Sequence, residues 1–299
     1  MESNMKKLIL LSLIFGLLLG CSKSSQQLIQ IKGSDTIVNL SQKLAEVYME
    51  KNPNVSIAVT GGGSGVGIAS LIANRIQIAN SSREMKEKEY AQAKENGVIP
   101  TEIAIAIDGL SVTVNSGNPI NSLTRDQVGA IYRGEISNWS EVGGPNLPIS
   151  LYGRQPNSGT YVFFQEFVLG NKDYSNKMKQ MNGNAQIIEG LKTDKGAIGY
   201  VGVGYLYDDK GNITEGIKVV EIAKDAKSKP VTPLIADNVK SGLYPIARPL
   251  YHYTNGKPKS AVKDLIAFEL SPEGQKIVEE MGFYPVSGKY LERNKKAGF

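Results

Sequence analysis

One cysteine, one histidine and one tryptophan occur in 299 residues. A single cysteine rules out a disulfide within the chain. A structural zinc site draws on several His and Cys ligands, so none is expected, and no other metal cluster stands out. A Ser-His-Asp triad would have His252 as its only base. Nucleotide signatures are missing too. No Lys follows the glycines of the one Gly-rich loop, as a phosphate-cradling P-loop requires, and G-x-G-x-x-G fits Gly61–Gly67 in no register. A nucleophile elbow needs Gly two residues after its Ser, but Val66 stands there after Ser64. Beyond Gly20 no apolar run approaches the ~18 residues that cross a bilayer. The 32 Gly and 13 Pro follow no strict period, which excludes collagen-like sequence.

What is present reads as a globular chain with a sizeable core, since hydrophobic residues far outnumber charged ones. The formal charge of +5 is a mild excess that suits anionic ligands and gives little reason to expect a nucleic-acid partner. The stretch 1–20 has the form of a signal: Lys6 and Lys7, the apolar run Leu8–Leu19, then Gly20 before Cys21. The Cys directly after a small residue resembles a lipoprotein signal, which implies lipidation of Cys21, with 21–27 as anchor and polar tether. An ordinary signal with an incidental Cys is the alternative. Either form places the rest of the chain outside the cytoplasmic membrane, where no cofactor is expected.

Periodicity predicts an α/β chain without internal repeats. Strands are expected at Leu28–Lys32, Val55–Thr60, Thr101–Ile107, Leu110–Asn115, Ile149–Gly153 and within Gly196–Val203, and extended chain within Leu243–Thr254. Helices are expected at Ile37–Lys51, Ile68–Arg75, Glu84–Asn96, Arg125–Tyr132, Tyr161–Leu169, Pro258–Leu270 and Pro272–Met281, and a hairpin turn within Asp208–Gly216.

Three segments share one physical design. Each runs from a strand through Gly, Ser and Thr into a helix: Gly33-Ser34-Asp35-Thr36, Gly61-Gly62-Gly63-Ser64-Gly65, and Gly153-Arg154 followed by Ser158-Gly159-Thr160. A helix N-terminus presents unpaired N–H groups and partial positive charge, Gly admits close approach, and Ser and Thr add hydroxyls. Arg154 adds a planar fork suited to a tetrahedral oxyanion. Any one turn alone is most simply a helix cap. Three that converge would enclose a small anion such as phosphate or sulfate.

These residues resemble the phosphate-binding lipoproteins of bacterial phosphate ABC transporters, within the type II periplasmic binding proteins. The likeness covers nearly all of 28–287. Beyond the Gly-rich loop it is carried by Gly33-Ser34-Asp35-Thr36, by Ile131-Tyr132-Arg133-Gly134-Glu135-Ile136-Ser137-Asn138-Trp139, by Arg154 with Ser158-Gly159-Thr160, and by Tyr244-Pro245-Ile246-Ala247-Arg248-Pro249-Leu250. The resemblance implies two α/β lobes, each a mixed sheet flanked by helices, joined by two crossover strands with the ligand between them. Lobe 1 would hold 28–112 and 247–299, and 113–246 would form lobe 2. It implies phosphate contacts from Ser34, Asp35, Thr36, Ser64, Arg154, Ser158, Gly159 and Thr160. It also implies a monomeric receptor, not an enzyme, that passes inorganic phosphate to an ABC permease with its ATPase subunits.

One departure matters. Several members of that family carry an Asp, which accepts the proton of bound phosphate, where this chain has Ser82 beside Arg83. Ser82 is retained as a candidate ligand group. Arg83 is expected either to touch the anion or to neutralise a carboxylate, and Asp35 is expected to act as the acceptor. Without an acceptor the cage would take sulfate as readily, so a receptor for another tetrahedral oxyanion is the nearest rival. A secreted phosphohydrolase using Ser64 or Ser158, and an adhesin or phosphate sensor, are the rivals from other classes. Trp139 and Tyr132 are expected to pack lobe 2, Arg248 to form an ion pair, His252 to sit on a half-exposed strand, and the Lys-rich tail 289–296 to be a solvated end. Glu46, Glu50, Lys86 and Glu87 are candidates for a surface that meets the permease.

Overall fold

The computed structural model describes residues 27–208 and 210–299. The leader, the lipidation candidate Cys21 and all of the tether but Gln27 lie outside the described residues. Two five-stranded mixed sheets form the two lobes. In the first, β1 (Gln27–Gly33) runs parallel to β2 (Val55–Thr60) and β3 (Ile78–Ser81), while β12 (Ala247–Asn255) pairs antiparallel with β3 and β4 (Pro100–Gly109), giving the order β2-β1-β3-β12-β4. In the second, the order is β10-β5-β9-β7-β8, from β5 (Ser111–Asn115), β7 (Ser150–Arg154), β8 (Lys179–Met181), β9 (Ala197–Val201) and β10 (Ile217–Val219). A short parallel pair, β6 (Ser122–Thr124) and β11 (Glu221–Ala223), flanks it.

The chain passes between sheets twice, at adjacent points. It leaves β4 at Gly109 and enters β5 at Ser111, and it returns through Tyr244–Ile246 into β12. The crossovers are bonded to each other: the Leu110 N–H donates to the Ile246 carbonyl (2.9 Å), and the Tyr244 hydroxyl donates to the Leu110 carbonyl (2.7 Å). Ser111 and Val112, grouped with lobe 1 on sequence, pair with Val201 and Tyr200 of β9 in the second sheet.

Helices form where apolar positions repeat at helical spacing. α1 (Val38–Lys51) buries Leu40, Leu44 and Tyr48, one per turn, against the first sheet. α4 (Arg125–Arg133) begins at a capping box, with Thr124 and Gln127 bonding each other's backbone N–H, and ends on the left-handed Gly134. α9 (Pro272–Glu280) is capped by Ser271 and starts with Pro. The expected helix at Ile68–Arg75 is instead α2 (Ser64–Ile72), which starts four residues earlier, and α3 (Glu87–Glu95) starts three residues later than its charge pattern predicts. β3, α6 (Asn184–Thr193), α7 (Ala236–Lys240) and α10 (Lys289–Ala297) were not anticipated. α5 (Gly159–Phe167) and α8 (Ser260–Glu269) lie near their expected places. The Asp208–Gly216 turn is present as an antiparallel bridge between Tyr207 and Ile213.

Lobe 2 is packed around aromatics. Phe164 stacks on Tyr200 at 4.0 Å, and Tyr132 meets Phe164 edge-on at 4.9 Å. The Tyr132 hydroxyl donates to the Tyr152 carbonyl (3.0 Å), and the Trp139 indole N–H to the Gly196 carbonyl (3.1 Å), so both residues pack this lobe as expected. His252 does not sit half-exposed. β12 has covered strands on both sides, so His252 is fully buried, with Nε2 3.1 Å from Glu269 of α8. The Lys-rich tail keeps Lys289, Arg293, Lys295 and Lys296 exposed, as expected, on a helix that is docked on lobe 1. α10 buries Asn294, whose amide bonds both the N–H (2.9 Å) and the carbonyl (2.7 Å) of Ala104. Among the described residues no helix is long and apolar enough to cross a membrane.

Candidate functional site

The three turns meet where the two lobes face each other. The first follows β1. Asn80 of β3 accepts the Ser34 N–H on its carbonyl (2.9 Å), and the Ser34 hydroxyl accepts the Thr36 N–H (3.2 Å). These bonds tie the turn to the sheet and bury Ser34 and Thr36. The second follows β2. Gly63 has φ +90°, a backbone state that favours glycine, and a Cβ there would lie 2.6 Å from the Asn157 carbonyl of the other lobe. That close approach lets the Gly65 N–H donate to Asn157 (3.1 Å) and the Asn157 amide donate to the Gly62 carbonyl (3.0 Å). Ser64, fully buried, then opens α2. The third follows β7. Ser158 caps α5 by accepting the Thr160 N–H (3.1 Å).

Four hydroxyls converge between these turns. Thr160 Oγ1 lies 2.8 Å from Thr36 Oγ1 and 3.4 Å from Ser82 Oγ, and Ser82 Oγ lies 3.4 Å from Ser64 Oγ. Gly159 closes the same space. A Cβ there would fall 2.3 Å from Ser64 Oγ and 2.7 Å from Ser82 Oγ. Ser34, Thr36, Ser64, Ser82, Ser158, Gly159 and Thr160 thus all lie on or beside these converging turns.

Arg154 ends β7 with 1% of its side chain exposed. Its backbone N–H donates to the Tyr200 hydroxyl (3.1 Å), so the aromatic core of lobe 2 places it. Nη2 donates to Asp35 Oδ2 (2.5 Å) and to the Asn182 carbonyl (2.8 Å). Nε and Nη1 are buried with no acceptor among the described residues. Buried polar groups are nearly always satisfied, and charged donors are the costliest kind to leave without an acceptor. Nε and Nη1 lie on either side of the occupied Nη2, so each offers its own N–H to an oxyanion. Asp35 also accepts the Gly62 N–H on Oδ1 (2.7 Å), while its own carbonyl accepts the Tyr205 hydroxyl (2.6 Å) from lobe 2.

Arg83 is spent elsewhere. Its guanidinium makes a bidentate pair with Glu89 of α3 (2.8 and 2.7 Å) and donates to the Glu84 carbonyl. It neutralises a carboxylate, the second of the two roles its position suggested. Burial raises the Glu89 carboxyl, but the Arg83 bonds, the Lys86 backbone N–H and both cations outweigh it, so the group titrates below its ordinary range.

Arg248 was expected as an ion pair rather than an anion contact. It forms one with Asp108 (2.9 Å), and it also donates through Nη2 to Thr160 Oγ1 (2.9 Å), inside the hydroxyl cluster. The signal was present in the sequence: Asp108 and Arg248 are isolated opposite charges in the two apolar crossover segments. Burial pushes the Asp108 carboxyl up and the Arg248 guanidinium down, and their mutual attraction opposes both shifts.

No cluster of three or more metal-ligating side chains occurs among the described residues. The arrangement therefore offers hydroxyls, helix N-termini and guanidinium edges, a donor set for a desolvated oxyanion.

Residues 22–273 match the PBP superfamily domain. The chain is 31% identical to Protein SphX of Synechococcus elongatus over 90% of this chain and 80% of that protein. It is 31% identical to phosphate-binding protein PstS of Pseudomonas aeruginosa over 87% and 84% respectively. Among solved structures, a phosphate ABC transporter substrate-binding protein with bound phosphate from Clostridium perfringens superposes with a TM-score of 0.76 at 28% identity, covering 87% of this chain and all of that one. An ABC-type phosphate transport receptor from Vibrio cholerae gives 0.69 at 27% identity, covering 86% and 100%. The chain belongs to the PBP superfamily and, within it, to the family of PstS-like phosphate-binding proteins.

Proposed function

We propose that this protein captures inorganic phosphate between its two lobes and hands it to an ABC permease whose ATPase subunits supply the energy. The observation that carries the reading is the buried Arg154, whose Nε and Nη1 have no acceptor among the described residues, beside three converging turns that supply hydroxyls and N–H groups. The names of the relatives support phosphate as the anion. Ser34, Asp35, Thr36, Ser64, Ser82, Arg154, Ser158, Gly159 and Thr160 are the proposed contacts, with Arg83 as support for α3. Binding rather than hydrolysis fits the surroundings of the candidate nucleophiles. The Ser64 hydroxyl meets the Ser82 N–H and hydroxyl, the Ser158 hydroxyl caps a helix, and His252 is committed to Glu269.

Asp35 is the proposed acceptor of the phosphate proton. Each carboxylate oxygen carries two lone pairs, and Arg154 and Gly62 each use one, so acceptor capacity remains. The leader supports an extracytoplasmic location with a lipid anchor at Cys21. Calorimetric titration of protein unfolded and refolded to strip bound anion tests the reading. Tight phosphate binding with sulfate silent supports it, equal binding of both favours a general oxyanion receptor, and silence with both overturns it.

A further inference from the structure

We propose that the buried Arg248–Asp108 pair is a closure latch: a pair of positioning residues, mounted on both crossovers, that holds lobe 2 against lobe 1 when the anion is in the cleft. The inference rests on the reading that phosphate binds between the lobes. β4 and β12 pair with Asp108 opposite Arg248, one residue from the end of each strand where the chain changes sheets. Within lobe 1, Arg248 is already well satisfied. Nε and Nη2 donate to Asp108 Oδ2 (3.1 and 2.9 Å), and Nη1 donates to the Ser82 carbonyl (3.0 Å).

A purely structural pair would need no more than that. Three further contacts instead cross the cleft. Arg248 Nη2 donates to Thr160 Oγ1 (2.9 Å), and the guanidinium carbon lies 5.1 Å from the centre of the Phe163 ring, both on α5. On the other side, Asp108 Oδ1 accepts the Val203 N–H of lobe 2 (2.9 Å). Each is a contact to a charged group in a site closed to water, where such contacts are strongest. Separation of the lobes breaks all three and leaves the in-lobe bonds in place. The donation to Thr160 has a second effect. It occupies a lone pair of Oγ1, so the Thr160 hydrogen turns to Thr36 or to the anion. Arg248 thereby sets Thr160 as a donor without touching the ligand itself.

A latch that acts only in the closed state slows ligand escape and leaves capture by the open state alone. Phosphate association and dissociation are measured by stopped flow on the unmodified protein, Arg248→Lys and Arg248→Met. Arg248→Lys keeps the charge beside Asp108, but a single ammonium cannot span the acceptors that the guanidinium reaches. Dissociation should quicken about tenfold or more, the loss of a charge-assisted hydrogen bond, while association stays within about twofold. A second measurement needs no variant: exchange of the Val203 amide hydrogen should slow on addition of phosphate. Unaltered dissociation in folded Arg248→Lys, a loss carried by association, or a Val203 amide equally protected without phosphate each overturns the latch. Failure of the unmodified protein to bind phosphate overturns the underlying reading instead.

Discussion

Gly159 carries a steric demand that spans the cleft, because its missing Cβ is space used by the opposite lobe. A methyl there would strike Ser64 Oγ and Ser82 Oγ and nothing closer in its own lobe. Gly159→Ala should therefore leave the anion-free protein folded, since Ala is the better helix former, and should weaken phosphate binding about a hundredfold or more by holding the lobes apart. Calorimetry and a thermal melt of the stripped protein check the two halves separately. Asp35 makes a different prediction. Asn in its place cannot accept through both atoms, so Asp35→Asn should cut the preference for phosphate over sulfate by about tenfold or more, and an unchanged preference removes Asp35 as the acceptor. At this scale the sequence was legible where a residue type has one local use: Ser158 caps and Trp139 packs. For Arg83 it left two roles open, of which the structure shows the carboxylate partner, and it was not legible for His252, whose partner Glu269 becomes a neighbour only when α8 packs on the sheet.

Elements were legible in proportion to the strength of their own period. α1 and α9 repeat an apolar face and were anticipated to within a residue or so. α6 was not. It holds Gly190 where a Cβ would collide with the Tyr152 ring at 2.3 Å, and the packing that requires Gly dilutes the helical signal. β3 is four residues long, half of them polar, and owes its burial to strands on both sides. α10 reads as a charged tail because its lysines stay exposed and only Asn294 and Ala297 of its residues are buried. α3 rests on Arg83–Glu89, and this gives a pH prediction. The folded pKa of Glu89 is depressed, so its contribution to stability is full above the unfolded value of about 4.3 and is lost as pH falls through the folded value. Glu89→Gln should cost about 1 kcal/mol at pH 7, allowing for partial solvent exposure, and the difference should shrink as pH falls through the folded value. Denaturant melts of both proteins across that range check it.

For the whole molecule, the two-lobed α/β architecture followed from alternating periods and from motifs shared with a family, whereas the contacts that join the lobes did not. Asp108 and Arg248 are 140 residues apart, and Tyr205 and Asp35 are 170 apart, so no local pattern links them. Closure is therefore a property of the fold that residue-level reading reaches only through its glycines. Tyr205 offers a measure of it and is not itself a proposed ligand group. Its hydroxyl reaches across the cleft to the Asp35 backbone carbonyl, and burial pushes that hydroxyl up to about 12, so it remains a neutral donor at physiological pH. Tyr205→Phe removes one neutral cross-cleft hydrogen bond, a net contribution of about 1 kcal/mol, and so should weaken phosphate binding about fivefold. Because an open cleft lets water serve the same carbonyl, the melting temperature of the anion-free protein should not change. With phosphate in large excess the loaded protein should melt lower than the loaded parent by the same free energy, since ligand stabilisation scales with the logarithm of affinity. Equal losses in the anion-free and loaded forms would instead make Tyr205 a strut of lobe 2, indifferent to closure.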